Sequence, residues 1–451
     1  MENLTVQKIA AACGGEIHGP VPAGEITAVV TDSRKLVPGC LFAAIRGERA
    51  DGNDFVNQAL GSGALCALAE RLPAGGVSGC AVLVPDTTAA LQKIAGFYRA
   101  QFSIPVVGVT GSVGKTTAKE MAAAVLSRKF HVHKTAGNFN NDLGVPLTLF
   151  GLEEAHTAAV VELGVSHPGD MARIAAIARP GCALYTVIGD AHLEFLKSRE
   201  GVLKEKSVMN DYLPEDGFMV CNGDDPLLAA MACKQRKITY GLGKDCGVRA
   251  EGIETLPSGG TRCTVAAGDR RFAVEIGAFG EHMVSAALAA AALGIEFGLT
   301  DAEIAAGIAD FIPMPGRARL FKTARLTVID DCYNANPSSV ASALRSLSAM
   351  PGQKTAILGD MLELGERSAA LHRETGALAR ECGVDLVLTT GDEAKHIAGG
   401  AGEIGTHFPD KAELIKALPS LLKPGGAVLV KASHGAHFEE IVEALKEILL
   451  P

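Results

Sequence analysis

Apolar residues fall into short runs separated by polar and glycine-rich breaks, and the rhythm of the runs changes twice along the chain. Over residues 1–102 the runs are brief, at 26–30, 41–45, 64–69 and 81–84, and Gly, Pro or Asp turns break them. A helical pattern at 87–102 closes this segment. Ile104-Pro105 ends it, because the residue before a proline is pushed out of the α region. From 105 to about 312, apolar runs at 105–110, 158–163, 183–188 and 218–222 alternate with stretches of helical period. That alternation predicts parallel strands joined by crossover helices. Residues 248–276 interrupt it with short alternating runs and Gly-rich turns, which predict a small antiparallel patch. Helices are predicted at 282–293 and 300–311, the second opened by Thr300 with Glu303 three positions on. Ile312-Pro313-Met314-Pro315-Gly316 reads as a linker. Beyond it, runs at 326–331, 354–359, 385–389 and 427–431 each precede a helix-length segment, the pattern of a Rossmann-like unit. The expected fold class is therefore α/β with three domains in series: 1–102, 103–314 with a central parallel sheet, and 315–451.

Composition narrows this picture. A chain of 451 residues is too long for one ordinary core. Its 48% apolar content, 52 glycines, 5 tyrosines and lack of tryptophan suit close helix-on-sheet packing better than a β-sandwich. The net charge of −9 is spread without a basic block, so no nucleic-acid partner is expected. Eleven cysteines without a CxxC pair read as small buried hydrophobes in a reducing compartment, not as a disulfide frame or zinc site. Gln7, Lys8, Glu16 and His18 interrupt the first twenty residues, so no secretory leader is expected. No uncharged apolar run reaches membrane-spanning length. A cytoplasmic protein is expected.

Chemistry first shows at 106–117. Val106-Val-Gly-Val-Thr-Gly111-Ser112-Val113-Gly114-Lys115-Thr116-Thr117 is a buried strand, a glycine turn and a helix start. Gly111 and Gly114 let backbone N–H groups approach an anion, and the helix aims its positive end at the same point. Lys115 adds a charge for β- and γ-phosphates, and the Thr116 hydroxyl is suited to Mg²⁺. The strict GxxxxGK[ST] pattern is not met, since its first glycine would fall at Val109. The segment points to a nucleoside triphosphate but not to what is done with it.

Four further segments bear on that. Residues 135–147 carry Asn138, Asn140, Asn141 and Asp142 beside glycines, a composition for polar loop contacts. Residues 161–170 are a strand ending at Glu162, followed by His167 and Asp170. Residues 189–206 include His192, Glu194, Lys204 and Lys206. Residues 329–337 include Asp330, Asp331, Tyr333, Asn334 and Asn336. In this order TGSVGKTT, GNFNNDLGVPLTL, ELGVSHPGD, AHLEF and DDCYNANPSS resemble the Mur ligases of peptidoglycan synthesis, and most of all their F-type branch. The resemblance covers nearly the whole chain. Near the N-terminus it includes Thr31-Asp32-Ser33-Arg34, Pro38-Gly39, Phe42 and the stretch Gly47 to Gly52. Near the C-terminus it includes Gly359-Asp360-Met361 with Glu363 and Gly365. The DNPR motif of the diaminopimelate-adding E-type relatives is absent.

The resemblance implies ATP-dependent amide formation, adding D-alanyl-D-alanine to a UDP-N-acetylmuramoyl-tripeptide through an acyl phosphate. It implies that Gly111, Ser112, Val113, Gly114, Lys115, Thr116 and Thr117 hold the phosphates, and that Arg317 reaches the γ-phosphate side. Asp331 would meet the ribose hydroxyls, with Tyr333 and Asn336 nearby. Thr116, Glu162, His192 and Lys206 would serve two Mg²⁺ ions, with Lys206 carrying a carbamate. Lys115, Lys206, His192 and Glu162 form the expected catalytic set. Asn138 and Asn141 are expected substrate contacts, and Ser33 and Arg34 candidates for the uridine diphosphate end. Carbamate formation needs a neutral amine and hence a lowered pKa or a nearby metal. A monomer is expected.

The sequence departs from the F-type pattern in places. Residues 431–439 read Lys-Ala-Ser-His434-Gly-Ala-His-Phe-Glu where the family usually has Lys-Gly-Ser-Arg. Ala286 stands for an Asn near the adenine, Val187 for another Asn, and Asn53 for a His. A related ligase adding another amino acid, and a P-loop switch ATPase that makes no bond, remain alternative readings. The residue at position three of the stem tripeptide, lysine or diaminopimelate, is left open.

Overall fold

The computed structural model describes residues 1–47, 50–256, 260–278 and 280–448. They build three sheets. The first has five strands, in the order Glu16–His18, Ala81–Leu83, Cys66–Ala69, Leu41–Ala43 and Val29–Val30, parallel except for the first. The apolar run at 26–30 yields only a two-residue strand. Ile26 is spent on the core instead, with its N–H donating to Leu4 O at 2.8 Å. Of the stretch Gly47 to Gly52, Glu48 and Arg49 lie outside the described residues.

The second sheet has nine strands. Its parallel part runs Arg236–Gly241, Phe218–Asn222, Cys182–Tyr185, Val106–Thr110, Ala158–Glu162 and Val132–Lys134. Val248–Thr255 pairs parallel with Arg236–Gly241, and an antiparallel run through Thr261–Ala267 and Arg270–Ile276 completes the sheet. Val106–Thr110 and Ala158–Glu162 are buried at every position because helices cover both faces, which is why they read as continuous apolar runs. The run at 183–188 leaves the sheet after Tyr185. From Thr186 its polar groups turn to the phosphate loop, with Thr186 Oγ1 donating to Val113 O at 2.5 Å and Ser112 N–H to Val187 O at 2.7 Å.

Two helices show why alanine and glycine are abundant. Glu281–Glu296 is buried almost throughout from Met283 to Gly294, and it packs against Lys115–Leu126. A Cβ at Gly294 would lie 2.9 Å from Val125 Cγ1, and one at Gly307 would lie 2.5 Å from Val125 Cα. Small residues are what allow these helices to approach. The predicted helix at 300–311 spans Asp301–Ala309, opened by the Thr300–Glu303 capping box.

The third sheet has six strands, in the order Arg319–Lys322, Leu326–Asp330, Gly426–Lys431, Lys354–Leu358, Leu386–Thr390 and Gly405–Phe408, parallel apart from the first. Among the described residues no helix is long and apolar enough to cross a membrane.

Candidate functional site

The loop Gly111–Gly114 lies at the C-terminal end of its strand, where a doubly wound sheet opens a crevice. Gly111 has a φ of +148°, and a Cβ there would lie 2.0 Å from Thr186 Oγ1. Gly114 has a φ of +79° and starts the helix Lys115–Leu126 without a side-chain cap. The first-turn N–H groups are therefore free for an anion. Lys115 folds back to donate to Gly111 O at 2.8 Å. Burial lowers its pKa, Glu162 opposes that, and Arg317 adds to it.

Glu162 ends the neighbouring strand and is 1% exposed. Its Oε1 accepts from Asn140 Nδ2 at 2.7 Å and from the Thr116 hydroxyl at 3.3 Å. Its Oε2 is buried and accepts no hydrogen bond; the ammonium of Lys119 lies 4.0 Å away. Lys119 is fully buried, on the same helix face as Lys115 four residues earlier. It donates to Thr135 O at 2.7 Å and pairs with Glu120 at 2.8 Å. Sequence reasoning missed Lys119 and preferred Asn138 and Asn141 to Asn140. The i, i+4 spacing from Lys115 was the available signal for the lysine.

The asparagine-rich segment is not loop throughout. Gly144–Phe150 is helical, because Asn141 Oδ1 accepts from the N–H groups of Leu143 and Gly144 at 3.3 and 2.8 Å and so caps the first turn. Pro146 sits in that turn, where no N–H is needed. Asn138 stays exposed at the cavity wall.

Lys206 lies on the helix Arg199–Ser207, 1% exposed, and its amine has no hydrogen-bond or ion-pair partner among the described residues. Burial pushes its pKa well down, and Lys115 adds to the effect. The adjacent Glu205 points elsewhere, accepting from the N–H groups of Gly169 and Met171 at 2.9 Å each. His192 starts a short helix with a φ of +54°, and its Nδ1 is hydrogen-bonded to Glu363 from the third sheet's domain.

That domain supplies the opposite wall. Asp331 accepts from Ala318 N–H at 3.0 Å and from Lys431 at 2.6 Å, so its charge is already matched by a buried lysine. The Arg317 guanidinium lies 3.8 Å over the ring of Tyr333. Asn336 spends its side chain capping the helix Pro337–Ser348. Residues 112–117, Asn138, Asn141, Glu162, His192, Arg317, Asp331, Tyr333 and Asn336 all line one cavity of about 1090 Å³, with Gly111 just outside the lining. Lys206 lies behind its wall. The same cavity is also lined by Asn222, Asp224, Tyr240, Leu242, Ala286 and His282, whose two ring nitrogens are buried without a partner. Sequence reasoning did not single out His282, which no spacing marks, and gave Lys431 no role although it opens the 431–439 stretch.

Models of known families match three stretches: the Mur ligase family catalytic domain over 25–99, the Mur ligase middle domain over 109–294, and the Mur ligase glutamate ligase domain over 316–434. The chain is 37% identical to the UDP-N-acetylmuramoyl-tripeptide–D-alanyl-D-alanine ligase of Bacillus subtilis (strain 168), with 99% of both chains covered. It is 38% identical to the enzyme of the same name from Escherichia coli (strain K12), again over 99% of both. The chain belongs to the Mur ligase family. Among solved structures, a MurF crystal structure from Acinetobacter baumannii superposes with a TM-score of 0.93 at 31% identity over 99% of both chains. A MurF ligase from Thermotoga maritima in complex with ADP superposes at 0.85 and 30% identity, over 93% of this chain and 97% of that one.

In this Mur ligase Ser33 and Arg34 lie apart from the cavity, in the first domain. Arg34 is exposed and makes two hydrogen bonds of 2.9 Å to Asp32, whose carboxyl the arginine holds down to about 2. Asn53, in place of the usual histidine, is buried and bonds Asp51 and the backbone N–H of Glu70 at 2.8 Å each.

Proposed function

We propose that this Mur ligase joins D-alanyl-D-alanine to a UDP-N-acetylmuramoyl-tripeptide at the expense of ATP. The observation that carries this is the single cavity in which the phosphate loop and Glu162 of the central domain face Arg317 and Asp331 of the C-terminal domain. The relatives named above bear that activity in their names over essentially the whole chain. The ATP triphosphate lies on the N–H groups of residues 112–117, with Lys115 and Arg317 supplying positive charge from two sides. The tripeptide carboxylate attacks the γ-phosphorus, the bond to the β-phosphate oxygen breaks, and ADP leaves an acyl phosphate. The amine of the dipeptide then attacks the carbonyl. The tetrahedral species loses phosphate and a proton, leaving the amide.

Negatively charged groups crowd together in the first step, so positioning and electrostatics carry most of the rate. The unpartnered, buried Oε2 of Glu162 and the adjacent Thr116 hydroxyl are hard oxygen donors and fit Mg²⁺. Bound there, the ion supplies charge neutralisation for the phosphate oxygens. His192 keeps Nε2 free for a second ion. Lys206 would hold that ion with it only as a carbamate, since a bare amine offers no oxygen; its buried, lowered-pKa state suits CO₂ uptake. Asn140 orients the Glu162 carboxylate. Both ATP and a UDP-linked precursor are cytoplasmic compounds, so the enzyme is assigned to the cytoplasm.

The test is ADP release by the purified protein with both substrates present and with each omitted, together with mass spectrometry of the product. Release that depends on both substrates and yields the amide supports the assignment. Equal ATP turnover without the dipeptide rejects it.

A further inference from the structure

The C-terminal domain begins at a linker fixed by its own backbone. Gly316 N–H donates to Asp330 Oδ2 at 2.9 Å, and Tyr333 N–H donates back to Gly316 O at 3.1 Å. Gly316 has a φ of +72°, and a Cβ there would lie 3.1 Å from Tyr333 Cβ, so a side chain would strain the linker and press on Tyr333. The next side chain, Arg317, has no carboxylate partner among the described residues. Its guanidinium is instead held 3.8 Å over the Tyr333 ring, on the cavity wall.

The same ring has a second planar neighbour. The imidazole of His434 stacks on it with centroids 5.0 Å apart and planes 24° from parallel. His434 comes from the turn after the strand Gly426–Lys431, is exposed, and does not line the cavity. Its other ring contact is His437, at 6.4 Å. Of these two ring contacts only Tyr333 lines the cavity.

We propose that His434 is a positioning residue that fixes the Tyr333 ring and, through it, aims Arg317 at the triphosphate. This rests on the reading of Arg317 as a phosphate-facing cation. A half-buried tyrosine with one free side swings about its side-chain torsions, and a stacked partner removes that freedom. The ring face then offers its negative quadrupole to the guanidinium. An arginine at 434 would set a second cation against the same ring. A histidine at this position stacks on the ring as a second flat ring.

The experiment uses the full-length enzyme, measuring KM for ATP and the Kd of a non-hydrolysable ATP analogue. His434→Ala is expected to raise both by roughly fivefold to tenfold, with the KM for the dipeptide unchanged. His434→Phe, which keeps a flat ring to stack on Tyr333, is expected to restore them. In an Arg317→Ala background, His434→Ala is expected to add nothing. The proposal is overturned if His434→Phe is as impaired as His434→Ala, if the two losses add, or if only the dipeptide KM moves. A parent protein that binds the analogue yet makes no amide would reject the functional assignment, while the binding arm would still decide the stack.

Discussion

The carboxylate of Glu363, in the C-terminal domain, hydrogen-bonds Nδ1 of His192, in the central domain. Both residues hold left-handed backbone, with φ of +62° and +54°, which non-glycine residues keep only when neighbours impose it. Gly365, also left-handed, sits against Glu194, so the whole turn after Met361 docks on the segment that carries His192. One pair thus ties the closure of the third domain to the orientation of a histidine on the cavity wall.

Glu363→Ala is expected to loosen that closure. The pair is partly exposed, so its worth is about 1 kcal/mol, and kcat/KM is expected to fall by roughly fivefold to tenfold. Nucleotide binding to the central domain alone should survive. Small-angle scattering of the variant with nucleotide should show a larger radius of gyration than the parent. Unchanged kinetics and an unchanged radius would show that the contact is incidental.

Lys206 poses a sharper question. A buried amine without a partner is costly to keep, since burial disfavours its charged form. Lys206→Ala is expected to lose most ligase activity and to regain part of it in short carboxylic acids standing in for the carbamate. Lys206→Met, similar in volume and apolar, is expected to melt at or above the parent temperature while remaining inactive. A fully active Lys206→Ala enzyme would dispose of the carbamate reading.

Lys119 is the buried cation behind Glu162. It holds the carbonyl of Thr135 at the start of the asparagine loop and lies 4.0 Å from the orphaned Glu162 oxygen. Lys119→Met removes the positive charge between two acids, Glu120 and Glu162. Breaking such a buried set costs about 3–5 kcal/mol. Denaturant unfolding should show that loss, and kcat should fall by about a hundredfold as Glu162 loses its neighbouring charge. A stability change without a rate change would make Lys119 a purely structural residue.

The sequence displayed the elements whose burial is complete and hid those whose burial is partial. Val106–Thr110 and Ala158–Glu162 announce themselves because both faces are covered. The edge strands Val132–Lys134, Arg319–Lys322 and Gly405–Phe408 have no fully buried residue and read as polar connections. The same contrast holds in the site. Lys115, Thr116 and Glu162 sit in recognisable local patterns, so their neighbourhood was legible. Lys431 meets Asp331 a hundred residues away, and Glu363 meets His192 from 171 away. The first pair is made by strand pairing within the third sheet and the second by domain packing, and no local spacing encodes either. Asn336 carries a local role as well, since it lines the cavity while its side chain caps its own helix.

His133 offers a test by acid. It is half-buried on an edge strand, where its Nε2 bonds Thr148 O at 2.7 Å and its ring meets His156 edge-on at 5.0 Å; His156 in turn stacks on His131 at 4.8 Å. Burial lowers the His133 pKa below the ordinary value, the bond to Thr148 opposes this, His156 adds to the lowering, and Glu153 opposes it. The folded state thus prefers the neutral ring, whereas the unfolded chain takes up a proton near the ordinary histidine pKa of about 6.5. Where the unfolded state binds more protons, stability rises with pH. The contribution is therefore complete above that value and is lost as pH falls below it. His133→Gln keeps an N–H for Thr148 but cannot titrate. Between about pH 7.5 and 5 its melting temperature is expected to fall less than the parent's. Parallel melting curves for the two proteins across that range would show that His133 stays outside the acid response.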